Sequence, residues 1–261
     1  MMHSLFGKTL YDKRGFLIGW VITLGAMTIL TLLFFPSLSQ TDALSKLTQV
    51  LPPELQKLIG DTHTIEGYVA SELFNLRIAI ALLIAALVLA QSLGASEENE
   101  GLLRTLVATR LSRRRIAVEK WLAAAVISAV MVLGLVASLY LGMLFINTWM
   151  DHAAIWRLAV ASWLLTMAAF TLVFALGLAT GKKGIGLSVG TAVIGGDYLL
   201  STFAISVDWL KPYDNLSLLH YFDPTELVKV GFNGLDSLVL IGVMVVSLVI
   251  SLPIYNRRDI N

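Results

Sequence analysis

Few side chains in this chain of 261 residues are suited to catalysis. The sequence contains no cysteine, which excludes thiol nucleophiles, thiolate metal sites and disulfides. No pair of its histidines has metal-ligand spacing. The four histidines are His3, His63, His152 and His220. No Ser/Lys or Ser/His pair stands out within the apolar runs, so we do not expect this chain to be an enzyme.

Two motifs that suggest catalysis both fail on inspection. Residues 7–9 are Gly-Lys-Thr, but a phosphate-binding loop requires a glycine five residues before Gly7, where Met2 stands, and a preceding strand. The stretch "EENEGLLR" resembles the Glu-Glu-x-x-x-Arg signature of prenyl-protein proteases, but the position of the arginine is occupied by Leu102. Neither ATP hydrolysis nor proteolysis is therefore expected of this chain.

The charged residues are concentrated between two apolar runs. Residues 96–115, "SEENEGLLRTLVATRLSRRR", contain eight charged residues, whereas the whole chain is 57% hydrophobic and 14% charged. We call this segment the link. Each charge costs about 2.5 to 3.5 kcal/mol at the centre of a membrane helix, so the link must lie in water or at the membrane surface.

The link has the pattern of an amphipathic helix. Ser96 can cap it, and Glu97, Glu98 and Glu100 crowd its first turn, where the helix dipole favours anions. At about 100° per residue, its apolar and polar residues separate onto two faces. One face holds Leu102, Leu103, Leu106, Val107 and Leu111, and the other holds Arg104, Thr105, Ala108 and Thr109. Ser112 can cap the helix that follows.

Such a helix has two possible roles. It either lies on the lipid surface, with its arginines against anionic headgroups, or docks into the groove of a cytoplasmic partner.

The segments around the link are predicted to be membrane-spanning helices. Several runs are apolar on all sides for about twenty residues, which is the length that about 30 Å of hydrocarbon requires. We predict an all-α polytopic membrane protein with six transmembrane helices, an N-terminal interfacial helix and a cytoplasmic coupling helix. The six spans are residues 16–35, 78–95, 122–146, 158–179, 185–205 and 235–255.

The distribution of basic residues predicts the orientation. An even number of spans places both termini on one side of the membrane. If that side is the cytoplasm, most of the 19 Lys and Arg residues lie in cytoplasmic segments, so both termini are predicted to be cytoplasmic. Residues 1–14 form either a helix in the interface or a frayed basic tail. The first outer loop, residues 36–77, is expected to hold short amphipathic helices. The last, residues 206–234, mixes aromatic residues with charges and is expected to form short interfacial or re-entrant helices.

The link resembles the coupling segment of ATP-binding-cassette (ABC) exporter permeases of the second permease class. The family pattern is an acidic pair, a Gly-Thr-Leu-Glu step and a Pro-x-Ser-Arg step, followed by a lysine in the next span. The matching residues are Glu97, Glu98, Gly101, Leu103, Leu106, Ser112, Arg113 and Lys120. The sequence departs from the pattern at Leu102, Arg104 and Arg110, which implies a cognate partner. The resemblance extends over the whole chain, with "HYFDP" in the last outer loop and "YNRRDI" at the C-terminus.

The resemblance implies a non-catalytic permease. Residues 1–261 would form one transmembrane domain in the plasma membrane, where two subunits, identical or related, enclose a translocation path. Each subunit would contact membrane lipid and dock a separate cytoplasmic ATPase. That ATPase would bind ATP and magnesium, so no cofactor, metal or nucleic acid is expected on this chain. The residues implied in ATPase coupling are Glu97, Glu98, Glu100, Gly101, Leu102, Leu103, Arg104, Leu106 and Val107. The stretch "GYVASELFN" favours drug or natural-product efflux.

Asp197 is the only acidic residue well inside a predicted span. Its charge costs about 3 kcal/mol, which makes the fifth span marginal by itself and requires it to pack against other helices. Two pairs of small residues permit close packing: Gly186 with Gly190, and Ala192 with Gly196. Asp197 is either a hydrogen-bonded structural acid at a helix interface or a residue that faces the translocation path or dimer seam.

Two other functions are considered. An ion-coupled secondary transporter would use Asp197, but such proteins have inverted repeats and several ionisable residues in their spans, and neither is visible here. A membrane anchor or immunity protein would use the charged helix only to recruit a cytoplasmic partner, and it would move no substrate.

Overall fold

The computed structural model of the chain describes residues 5–39, 64–94, 112–181, 183–204, 207 and 209–257. All elements within these ranges are helical, and no β-strand occurs there. We number the α-helices in chain order. They are α1 (Leu5–Asp12), α2 (Arg14–Ser39), α3 (Ile65–Leu93), α4 (Arg113–Ile146), α5 (His152–Thr180), α6 (Lys183–Ala204), α7 (Pro224–Lys229) and α8 (Gly234–Arg257).

Five of these helices are long and apolar enough to cross a membrane, namely α2, α3, α4, α5 and α8. The all-α architecture with membrane-spanning helices is therefore as predicted. The remaining predicted span corresponds to α6, which is a helix of 22 residues but is not among those five. The sixth span stays a prediction.

The helix α3 begins well before the predicted span, so the prediction that residues 65–77 belong to a loop was wrong. Thr64 caps the helix, because its Oγ1 accepts a hydrogen bond from the amide of Gly67 at 3.1 Å. Charged residues interrupt the apolar run, so the hydropathy of the sequence does not indicate the helix in this region. Glu72 and Arg77 form an ion pair at 3.2 Å. Apolar residues before and between these two face the bundle and are Tyr68, Val69, Leu73 and Phe74.

The helix α5 lies at the centre of the bundle. It packs against α3, α4, α6 and α8, and its side chains are buried along nearly its whole length. The helix α2 packs along α4, and α1 packs against α4 as well. Most residues of α2 and α8 are left uncovered within the chain, as expected of helices that face lipid.

The two ends of the bundle differ in their connections. The end of α3 and the start of α4, which flank the link in the sequence, lie at one end, and we call this the link end. Residues 209–233 lie at the opposite end, which we call the loop end. They form two 3₁₀-helices, Lys211–Leu216 and Leu219–Tyr221, followed by α7. Asp223 caps α7, because its Oδ1 accepts hydrogen bonds from the amides of the second and third residues after it.

Small residues allow α2 to approach α4 closely. A Cβ atom added at Gly134 would lie 2.8 Å from Cγ1 of Val21, and one added at Gly25 would lie 2.7 Å from Oγ of Ser138. Membrane helices use such positions because lipid supplies no hydrophobic force between helices, so association depends on close van der Waals packing. The seam between α2 and α4 therefore depends on Gly134.

We expect Gly134→Ala to lower the free energy of unfolding by about 1 to 3 kcal/mol, because β-branched Val21 has few other rotamers and must be displaced. The measurement is the Tm of the purified protein in detergent. Gly19→Ala in α2 is the matched control, since a Cβ there meets nothing within 4 Å and alanine favours the helix. Equal Tm values for the two variants would mean that the packing of α2 against α4 does not depend on Gly134.

Candidate functional site

The predicted coupling helix lies outside the described residues, but its attachment to the bundle is described. The predicted coupling residues all lie in this segment and are Glu97, Glu98, Glu100, Gly101, Leu102, Leu103, Arg104, Leu106 and Val107. Ser112, near the end of the link, caps α4 as predicted. Its Oγ accepts a hydrogen bond from the amide of Arg115 at 3.3 Å. The candidate site is this attachment at the link end.

Lys120 connects α4 to the end of α3. Its side chain is only 2% exposed, and its Nζ donates a hydrogen bond to the carbonyl oxygen of Leu93 at 2.9 Å. Leu93 is the last residue of α3. The final carbonyls of a helix lack hydrogen-bond donors within the helix and form the negative end of its dipole. A lysine supplies both the missing donor and a positive charge. The residues that flank the link on either side are thus held together.

Glu119 connects α4 to α1. One carboxylate oxygen accepts a hydrogen bond from the amide of Phe6 at 3.1 Å, and the other accepts one from Nε of Arg115 at 2.8 Å. Phe6 lies in the first turn of α1, where amides have no partner within the helix and an anion is favoured by the dipole. Glu119 therefore acts as an N-cap supplied by another helix.

Arg113 connects α4 to the end of α8. Its guanidinium donates a hydrogen bond to the carbonyl oxygen of Tyr255 at 3.3 Å. The first two turns of α4 thus hold the start of α1 and the ends of α3 and α8.

Within the described residues, no His, Cys, Asp or Glu side chains form a group of three that could hold a metal ion. What this arrangement can do is transmit a displacement of the link to several helices at once.

At the loop end, Asp197 holds residues 217–219 against α6. Its Oδ1 accepts a hydrogen bond from the amide of Leu218. The hydroxyl of Ser217 donates to the carbonyl oxygen of Asp197 at 3.4 Å and accepts from the amide of Leu219 at 3.1 Å. Asp197 is 9% exposed, and its Oδ2 is buried with no hydrogen-bond partner among the described residues. These contacts are those of a structural acid, and a role in the translocation path or dimer seam stays a prediction.

The small residues of α6 lie on two different faces. Gly190 faces the bundle on the same side as Asp197, and a Cβ added there would lie 2.8 Å from Cγ1 of Val173 in α5. Gly196 lies on an exposed face together with Leu199, and a Cβ added there meets nothing within 4 Å. Close packing within the chain therefore uses Gly190 and leaves Gly196 open.

Sequence reasoning missed Glu119 and included Lys120 only as part of a motif. The available signal was a pair of adjacent charged residues just before the predicted span 122–146. Their partners, Phe6 and Leu93, could not be read from that signal. No family model matches the chain, and no curated protein matches it.

We expect Glu119→Ala to release α1, because the variant leaves the amide of Phe6 without its acceptor. Amide hydrogen exchange in residues 5–12 should accelerate about tenfold, as expected for the loss of a hydrogen bond to a charged group. Glu119→Gln is the control, since it keeps a side-chain oxygen in the same place. Its exchange rate in residues 5–12 should lie between those of wild type and Glu119→Ala. Unchanged exchange in Glu119→Ala would mean that α1 is held by its apolar contacts alone.

We expect Asp197→Ala to destabilise the loop end by about 1 to 3 kcal/mol, because the buried amide of Leu218 loses its acceptor. Hydrogen exchange in residues 217–222 should accelerate accordingly. Asp197→Asn retains an oxygen and nearly the same shape, so it should stay close to wild type in this measurement. If the two variants exchange equally fast, the hydrogen bond does not hold the loop.

Proposed function

We propose that this chain is the transmembrane permease subunit of an ABC exporter, which forms the translocation path and is driven by a separate cytoplasmic ATPase. The proposal rests chiefly on the attachment of the link. The charged link, for which the sequence predicts an amphipathic helix, connects α3 to α4 in the chain, and Lys120 holds the helix end that precedes it. A force applied to such a segment reaches the bundle directly.

In this proposal the chain crosses the plasma membrane six times, with α6 as the additional span and both termini in the cytoplasm. The link end is then cytoplasmic. A second permease subunit, identical or related, completes the path. The chain itself carries no catalytic residue or cofactor, and the ATPase binds ATP and magnesium. The substrate class that we favour is drugs or natural products.

The mechanism begins with closure of the ATPase pair on ATP, which pushes on the link. Because the start of α4 also binds α1 through Glu119 and α8 through Arg113, these helices shift together with α3 and α4. The shift passes along the helices to the loop end. There, residues 217–219 are held by Asp197 and must separate from α6 or move with it when the path opens.

One observation favours a second candidate, an ion-coupled secondary transporter. Oδ2 of Asp197 is buried and has no hydrogen-bond partner among the described residues, so it offers an acceptor where a proton or cation could bind. Such a transporter would work without ATP. Transport into vesicles that depends on an ion gradient and not on ATP would therefore favour this candidate.

The decisive experiment is affinity purification from native cells, followed by transport in vesicles. We expect the wild-type chain to recover a nucleotide-binding ATPase and to move substrate only with ATP. The double charge reversal Glu97→Lys, Glu98→Lys should lose the ATPase, because the acidic start of the link is expected to complement its surface.

Glu226→Lys is the matched control, because this exposed acid lies at the loop end, away from the link. It should recover the ATPase as the wild-type chain does. Isolation of an active chain that transports substrate without any ATPase would overturn the proposed function. Recovery of the ATPase without ATP-dependent transport would favour a membrane anchor instead.

A further inference from the structure

Lys120 is too deeply buried to serve as a surface anchor. Lysines are almost never fully buried unless they are paired, and near a membrane surface they normally extend towards the headgroups. Arg115, five residues earlier in the same helix, has a side chain that is 64% exposed although its Nε binds Glu119. Lys120 is instead 2% exposed and donates to a main-chain carbonyl.

The bond from Lys120 to Leu93 joins residues that are 27 positions apart and encloses the whole link. Gly94, the cap of α3, is a position where the chain can bend, because glycine restricts the backbone least. Its amide donates to the carbonyl oxygen of Ala90 at 2.8 Å. Lys120 thus stabilises the last turn of α3 immediately before the chain enters the link.

The next residue, Trp121, extends the connection to the central helix. Its indole Nε1 donates to Oγ1 of Thr171 in α5 at 2.8 Å. The cap of α3 lies against α5 as well, since a Cβ added at Gly94 would be 3.8 Å from Cα of Gly177. At the link end, α3, α4 and α5 are therefore joined through two adjacent positions of α4.

We propose that Lys120 is a positioning residue that makes the end of α3 move together with α4, so that a displacement of the link is transmitted to the bundle. Without Nζ, the last turn of α3 loses its stabilising cation, and the push is absorbed by local bending at Gly94. This inference rests on the proposed function and adds to it the residue that couples the push to the helices. It predicts loss of coupling without loss of ATPase docking.

The test compares Lys120→Met, which keeps the length of the side chain and removes its charge, with wild type. Vesicles are prepared with the co-purified ATPase, and ATP hydrolysis and ATP-dependent transport are measured on the same sample. We expect Lys120→Met to recover as much ATPase as wild type but to transport about tenfold less substrate per ATP hydrolysed, in keeping with the loss of one hydrogen bond from a charged donor. Lys120→Arg, which keeps a charged donor, should retain most of the coupling.

A second readout does not depend on the ATPase. Because the chain has no cysteine, spin labels can be placed on cysteines introduced at Ser92, near the end of α3, and Arg114, near the start of α4. The distance distribution between them should be narrow with Lys120 and broad in Lys120→Met. Lys229→Met is the matched control, because Lys229 is exposed at the loop end, and it should change neither measurement.

The outcomes separate the two proposals. Failure of the wild-type chain to recover any ATPase overturns the proposed function and this inference with it. Recovery of the ATPase with equal transport per ATP in Lys120→Met and wild type overturns the inference alone. Loss of ATPase docking in Lys120→Met also overturns it, because Lys120 would then serve folding or docking. If Lys120→Met folds poorly, the same ratio is measured with Lys120→Gln, whose shorter amide carries no charge.

Discussion

The buried hydrogen bond from Lys120 to Leu93 is the constraint on which the link end depends. The last carbonyls of a helix have no partner within the helix, and a bundle in lipid offers little water to satisfy them. Because α4 supplies a cation at the end of α3, these two helices are held together where the charged link separates them in the sequence.

Acidic side chains satisfy main-chain amides at both ends of the bundle. At the loop end the carboxylate of Asp197 accepts from the amide of Leu218, while at the link end the carboxylate of Glu119 accepts from the amide of Phe6. Lysine binds a carbonyl at the end of a helix, and each acid binds an amide. In all three cases a charged side chain holds a connecting or terminal segment against a helix. Between the two ends, the helices are joined mainly by apolar packing and close contacts at glycines.

Hydropathy predicts a helix where an apolar run is unbroken and fails where charges interrupt it. It located α2 and α8 within four residues at either end, but it started α4 and α5 several residues too late. It also placed residues 65–77 in a loop because Glu72 and Arg77 dilute the apolar signal. In the folded chain these two residues pair with each other, while neighbouring apolar residues face the bundle. The same dilution affects α6, where Asp197 and several glycines weaken the run.

The sequence by itself determined the all-α class, the presence of helices long and apolar enough to cross a membrane, and the cap at Ser112, because composition and local spacing decide these features. Only the tertiary structure decided which main-chain groups Lys120, Glu119 and Asp197 bind, since these partners lie 27, 113 and 21 positions away. It also decided that Gly190 packs against α5 while Gly196 stays open. Such contacts follow from how helices pack against one another, and the periodicity of a single helix does not contain that information.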